Sequence, residues 1–171
     1  MKRIFTVLLL TALSITFSFA QKFAFVDSEY ILSNIPSYKS AQEQLDKLSA
    51  DWQKEIEAKY ADIDKMYKAF QSEKVLLTDE MKTKREDEIV KKEQEVKDLQ
   101  KKYFGRDGSL FKKRQELVKP IQDQVYNAVK EISVEQGFAV IIDTASNPGI
   151  MYSNPKNDKS DEILQKLGYK N

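Results

Sequence analysis

Residues 23–27 read FAFVD, and residues 138–143 read FAVIID. Both are short, rich in strand-forming side chains and apolar on both faces, and neither could stand alone in water. The long stretch between them is dominated by Lys, Glu, Asp and Gln and has almost no strand character. What that insertion does decides the fold. If it travels out and returns, the two apolar segments meet.

Working outward from FAFVD, Asp27 or Ser28 is placed to cap a short helical turn through SEYILSNI. Pro36 breaks that turn and opens the next helix, where its missing N–H costs nothing. From Tyr38 the apolar residues fall at 38, 41, 45, 48, 52, 56, 60, 63, 66/67 and 70. At helical spacing they make one stripe, which predicts an amphipathic helix of about 60 Å ending near Leu77. Thr78 starts a second helix, with Asp79 and Glu80 in its first turn where the helix dipole favours negative charge. Its stripe runs through Met81, Ile89, Val96, Leu99, Tyr103, Leu110, Leu117, Ile121, Val125, Ala128 and Ile132. A short link between two long helices makes them antiparallel neighbours. With the tip at Leu77–Thr78, Trp52 is expected near Tyr103 and Leu45 near Leu110.

The second stripe is imperfect. Arg85, Lys92 and Arg114 occupy positions that should be apolar and are expected to snorkel from a loose seam. Gly105 and Gly108 each lower helix propensity by about 1 kcal/mol relative to Ala. Pro120 removes a hydrogen bond to Glu116 and is expected to kink the rod. Gly105, Gly108 and Pro120 are therefore the expected points of arm flexibility.

Beyond FAVIID, two apolar runs flank SNPG, whose Pro and Gly form turns, so residues 138–154 read as a β-hairpin. A final helix through KSDEILQKLG has Ser160 as its expected cap and Gly168 as its stop. The fold class is α+β, mainly α: a long antiparallel helical hairpin, residues 38–119, inserted in a small β body made of residues 21–37 and 120–171. Three short strands do not close a core. Self-association, with strands pooled among copies, is the economical solution.

The N-terminus reads MKRIFTVLLLTALSITFSFA, with Lys2 and Arg3 ahead of an apolar run and small residues at its end. That is a secretory signal peptide, residues 1–20, with cleavage expected between Ala20 and Gln21. The full chain carries 28 Lys and Arg against 27 Asp and Glu; losing Lys2 and Arg3 turns its net +1 into −1. Such balance argues against a nucleic-acid binder. The absence of Cys and His removes disulfides, lipid attachment at cysteine, the usual zinc ligands and the common nucleophile–base pairs. No Gly-rich phosphate loop is present. Neither an enzyme nor a cofactor is expected.

Taken together, the export signal, KFAFVDSEYIL, the charged helical hairpin, KPIQDQVYNAVKEISVEQGFAVIID and the capped C-terminal helix resemble the Skp/OmpH family of periplasmic chaperones. The resemblance covers essentially the whole mature chain. It implies a homotrimer with a joint β-barrel body, to which Phe23, Phe25, Phe138, Val140 and Ile142 belong, and three helical tentacles around a cavity. It further implies that unfolded outer-membrane β-barrel proteins are held there without ATP. Lipopolysaccharide or membrane-surface contact is a further implied partner, with less weight here because the family's well-known members are strongly basic and this chain is near neutral. Shielding a client without an energy source calls for many weak apolar contacts. Tyr67, Phe70, Phe104 and Phe111 are the candidates for them, together with Tyr103. The competing reading is a stiff envelope spacer that binds no unfolded chain; Gly105, Gly108 and the charged seam positions argue against it.

Overall fold

The computed structural model describes residues 22–169; the expected signal peptide and its cleavage point lie outside them. Strand β1 (Lys22–Val26) leads through helix α1 (Ser28–Ser33) into α2 (Pro36–Glu73). A 3-10 turn at Lys74–Leu76 reverses the chain into α3 (Asp79–Phe104). Helix α4 (Ser109–Gln136) continues the return to β2 (Phe138–Asp143). A 3-10 turn at Pro155–Asn157 and the short helix α5 (Ser160–Lys166) complete the body.

Each turning point has a local cause. Asp27 accepts a hydrogen bond from the Tyr30 N–H and starts α1, and Pro36 opens α2. Thr78 accepts from the Met81 N–H, with Asp79 and Glu80 in the first turn of α3. Gly137, at φ 69°, ends α4 in the left-handed region that favours glycine, and its N–H donates to Ser133. Pro120, expected to kink the rod, lies inside α4 without interrupting it. It is exposed, while Val118, Ile121 and Val125 around it are buried, so packing on its inner side holds the helix together.

The helical break falls at Gly105–Gly108 alone. Both glycines have ordinary extended backbones there, φ −63° and −73°. What demands glycine is close approach. A Cβ on Gly105 would sit 2.3 Å from the Lys101 carbonyl oxygen, and one on Gly108 would sit 2.8 Å from that of Tyr103.

The hairpin brings β1 and β2 together as a parallel pair, with Phe23 opposite Val140 and Val26 opposite Asp143. A parallel pair requires a long crossover, which the whole arm supplies. One face of this sheet, through Ala24, Val26 and Ile141, packs on the body core of Ile31, Ile35, Ile132, Ile163 and Leu164. A second cluster, Ile56, Ile63, Phe70, Ile89 and Val96, forms the seam of the outer arm.

The expected β-hairpin at residues 138–154 is a correction. A turn does form, with Asn147 donating to Thr144 and Ile150 donating to Asn147, but no strand follows. The chain has to reach the opposite edge of β1, where Asp158 bridges Phe25 and the Lys159 N–H donates to the Phe25 carbonyl. A strand running back along β2 would not get there. Ser160 is a second correction: it is the first residue of α5, not its cap. The Asp158 carboxylate accepts from both its N–H and its hydroxyl, and the Ser160 hydroxyl oxygen accepts from the Asp27 N–H at 2.8 Å. Ser160 thus ties the last helix to the first turn.

Candidate functional site

Two apolar surfaces are left open, one on the body and one along the arm. Strand alternation makes the first. With Ala24, Val26 and Ile141 turned inward, the register puts Phe23, Phe25, Val140 and Ile142 on the sheet's outer face. Phe23 is 52% exposed and Val140 54%, and the Phe23 and Phe25 rings meet edge-on at 5.8 Å. Phe138, grouped with these four by sequence, packs toward the inner cluster with the Lys159 ammonium 5.8 Å from its ring centroid. Met151 is 99% exposed and Tyr152 79%.

The end of this sheet is fastened by one carboxylate. Asp143 Oδ1 accepts from the N–H groups of Ser28 (3.0 Å) and Ala145 (3.2 Å). Its Oδ2 accepts from the hydroxyls of Ser28 and Ser146, both at 2.7 Å. Burial pushes the carboxyl pKa up, but the hydrogen bonds from Ser146, Ser28 and Ala145 outweigh it and hold the group below its ordinary value.

The arm carries the second surface. Trp52 stacks on Tyr103 with ring centroids 4.7 Å apart and planes 7° from parallel, and Phe104 meets Trp52 edge-on. The Tyr103 hydroxyl donates to Glu55, which raises the phenol pKa. The Trp52–Tyr103 pairing expected from the hairpin register is there, and Leu45 and Leu110 share the body-proximal cluster. Arg85 and Lys92 do snorkel, to Glu73 and Glu88 in one case and to Glu95 in the other. Of the expected client contacts, Tyr67 (51%) and Phe111 (43%) are exposed and Phe104 is half-buried. Phe70 is a correction: at 5% exposure it belongs to the seam.

Among the described residues no group of three or more acidic, His or Cys side chains is placed to hold a metal, and no helix is long and apolar enough to cross a membrane. The family model of OmpH-like outer membrane proteins matches residues 22–167. The chain belongs to the OmpH-like family.

A solved structure similar to this OmpH-like protein is that of an OmpH-like protein from Caulobacter crescentus CB15. It matches with a TM-score of 0.66 over 86% of this chain and 83% of that one, at 14% identity, a likeness of fold. No curated protein sequence matches the chain. Family membership gives this OmpH-like protein a general class, periplasmic chaperone and not enzyme.

Sequence reading missed several exposed residues of this OmpH-like chain. Val75 and Leu76 at the tip are 88% and 84% exposed, and Val90 is 62% exposed. Val90 carried a signal: it stands one residue from the seam position Ile89, about 100° around the helix, where an aliphatic side chain has no seam to fill.

Proposed function

We propose that this protein is an ATP-independent holdase. In this reading several copies, three by family resemblance, join through the outer sheet faces, and their arms enclose unfolded outer-membrane β-barrel proteins and keep them from aggregating. The observation that carries it is the pairing of an open apolar sheet face at the arm's root with an arm of about 57 Å, the length of α2 at 1.5 Å per residue. Covering Phe23, Phe25, Val140 and Ile142 with copies of themselves would hide the apolar face. The arms, rooted in a common body, would then surround a shared space. Contacts spread along them are individually weak and add by multivalency, so a client is retained yet released without ATP.

The broken return helix favours this reading over a stiff spacer. A rod built to hold two partners at fixed distance gains nothing from a break whose glycines admit no side chain.

The test is dilution of a urea-unfolded outer-membrane β-barrel into buffer with and without the purified protein, in the absence of ATP. Suppressed light scattering together with a stoichiometric soluble complex is expected. Scattering unchanged at stoichiometric protein would remove the holdase reading.

A further inference from the structure

We propose that the arm is two-sided: one flank, bearing Tyr60, Tyr67, Val90 and Phe104 and continued past the break by Phe111, is the surface that takes an unfolded polypeptide, while the opposite flank is rimmed by charged side chains. The proposal rests on the holdase reading and adds which side of the arm does the holding.

Helix geometry assigns the flanks. In α2 the seam is Ile56, Ile63 and Phe70. At 100° per residue, Tyr60 and Tyr67 lie roughly 40–60° to one side of it, while Glu55, Lys59, Asp62 and Met66 lie to the other. In α3 the seam is Ile89 and Val96. Val90 and Phe104 lie roughly 70–110° from it in the positive sense, and Lys92, Glu95 and Leu99 in the negative sense. For antiparallel helices facing each other, rotation of the same sense leads to the same flank.

The cross-helix contacts agree with this assignment. Tyr103 reaches Glu55 at 2.9 Å and Arg85 approaches Glu73 at 3.9 Å, both on the second flank. A groove of about 380 Å³ on that flank is rimmed by Glu55, Lys59, Asp62, Lys92 and Glu95. On the first flank the one cross-helix ion pair is Lys74 with Glu86, near the tip. One side of the arm is therefore crossed by a polar contact toward each end, with charged residues rimming the groove between, and the other presents rings and an aliphatic side chain to solvent.

The occupant follows from spacing and charge. Tyr60 and Tyr67 are seven residues apart with Asp64 between them, and a helical partner forming a second seam needs an apolar residue every three or four. The flank's acids, Asp64, Glu86 and Glu93, are matched by Lys74, Lys82 and Lys97, so an anionic lipid surface finds no net positive charge to attract it. Separated apolar points set among balanced charges suit a flexible chain that offers its own aromatic and aliphatic side chains one at a time. Tyrosine makes such contacts with little loss of side-chain freedom.

The experiment compares two triple variants in the full chain: Tyr60→Ser, Tyr67→Ser, Val90→Ser on the first flank, and Lys59→Ser, Lys92→Ser, Glu95→Ser on the second. All six positions are exposed, and circular dichroism and sedimentation verify that arm and assembly persist. The readout is the concentration that half-suppresses aggregation of a urea-diluted β-barrel. The first variant is expected to need at least about fivefold more protein, the second less than about twofold more, and a Tyr60→Phe, Tyr67→Phe version should retain wild-type potency, since the ring surface supplies the contact. Equal potency of the two triple variants overturns the sidedness, as does binding of the wild-type protein to anionic lipid vesicles that the first variant abolishes while leaving client protection intact. If the wild-type protein itself fails to protect, the holdase reading falls and the sidedness with it.

Discussion

At the residue scale, Asp143 fastens the two ends of the body together. Four hydrogen bonds converge on its carboxylate, two of them from Ser28 on the far side of the arm in sequence. Its depressed pKa fixes the sign of the pH dependence. The stabilisation is complete above the unfolded value, about 3.9, and is lost as pH falls through the lower folded one. Asp143→Asn should lower the stability of the body by about 1–3 kcal/mol at pH 7, the usual worth of hydrogen bonds to a charged group. The gap between variant and wild type should close below about pH 4, as measured by urea unfolding across pH. A gap independent of pH would mean that the amide supports the same network as the carboxylate. Sequence reading passed over Asp143 because a lone Asp at a strand end looks like any turn residue. Its meaning depends on Ser28, and that neighbour is visible only once the arm has folded back.

At the scale of elements, the long periodic segments were legible. Stripes sustained over many turns overdetermine a helix, and the Thr78 cap with its acidic first turn located the tip to within a few residues. The stacking of Trp52 on Tyr103 was readable from hairpin arithmetic alone. The missing strand after SNPG and the displaced role of Ser160 were not, because both are set by where Asp158 and Lys159 dock on β1, a contact with no local signature. Nor did sequence distinguish Phe70 from Tyr67, three residues apart in one stripe, as seam and surface. The break between α3 and α4 yields a test in which two arguments differ in sign. Helix propensity alone says that Gly108→Ala stabilises by about 1 kcal/mol. The geometry says the opposite, since the new methyl would meet the backbone atoms Tyr103 O, Gly105 N and Lys102 O, all within 2.9 Å. The variant should be destabilised by about 1–3 kcal/mol, with weakened Trp52 near-ultraviolet ellipticity as its stack on Tyr103 shifts. A higher midpoint in thermal unfolding would show the break to be a propensity effect.

At the scale of the whole molecule, the arm and the sheet solve each other's problem. The arm's crossover makes a parallel pair possible, and the pair anchors an arm too long and thin to hold its root by itself. The pair remains unfinished, because its inner face is packed on α1, α4 and α5 while its outer face carries Phe23 and Val140 exposed and Phe25 and Ile142 half-buried. Self-assembly through that face is the expected completion, and it is separable from folding of the chain. Val140→Asp with Ile142→Asp puts two charges on the outer face while leaving Ala24, Val26 and Ile141 on the inner one. A charge buried there without a partner is costly enough to break the assembly. The pair of substitutions should drop the sedimenting mass to that of one chain, with helix content kept because the arm's seam and the inner core are untouched. Client protection should fall along with it, since a single arm offers neither enclosure nor multivalency. Unchanged mass at low micromolar concentration would place the outer face elsewhere than in a subunit contact. Loss of mass with full protection retained would show that one arm suffices to shield a client.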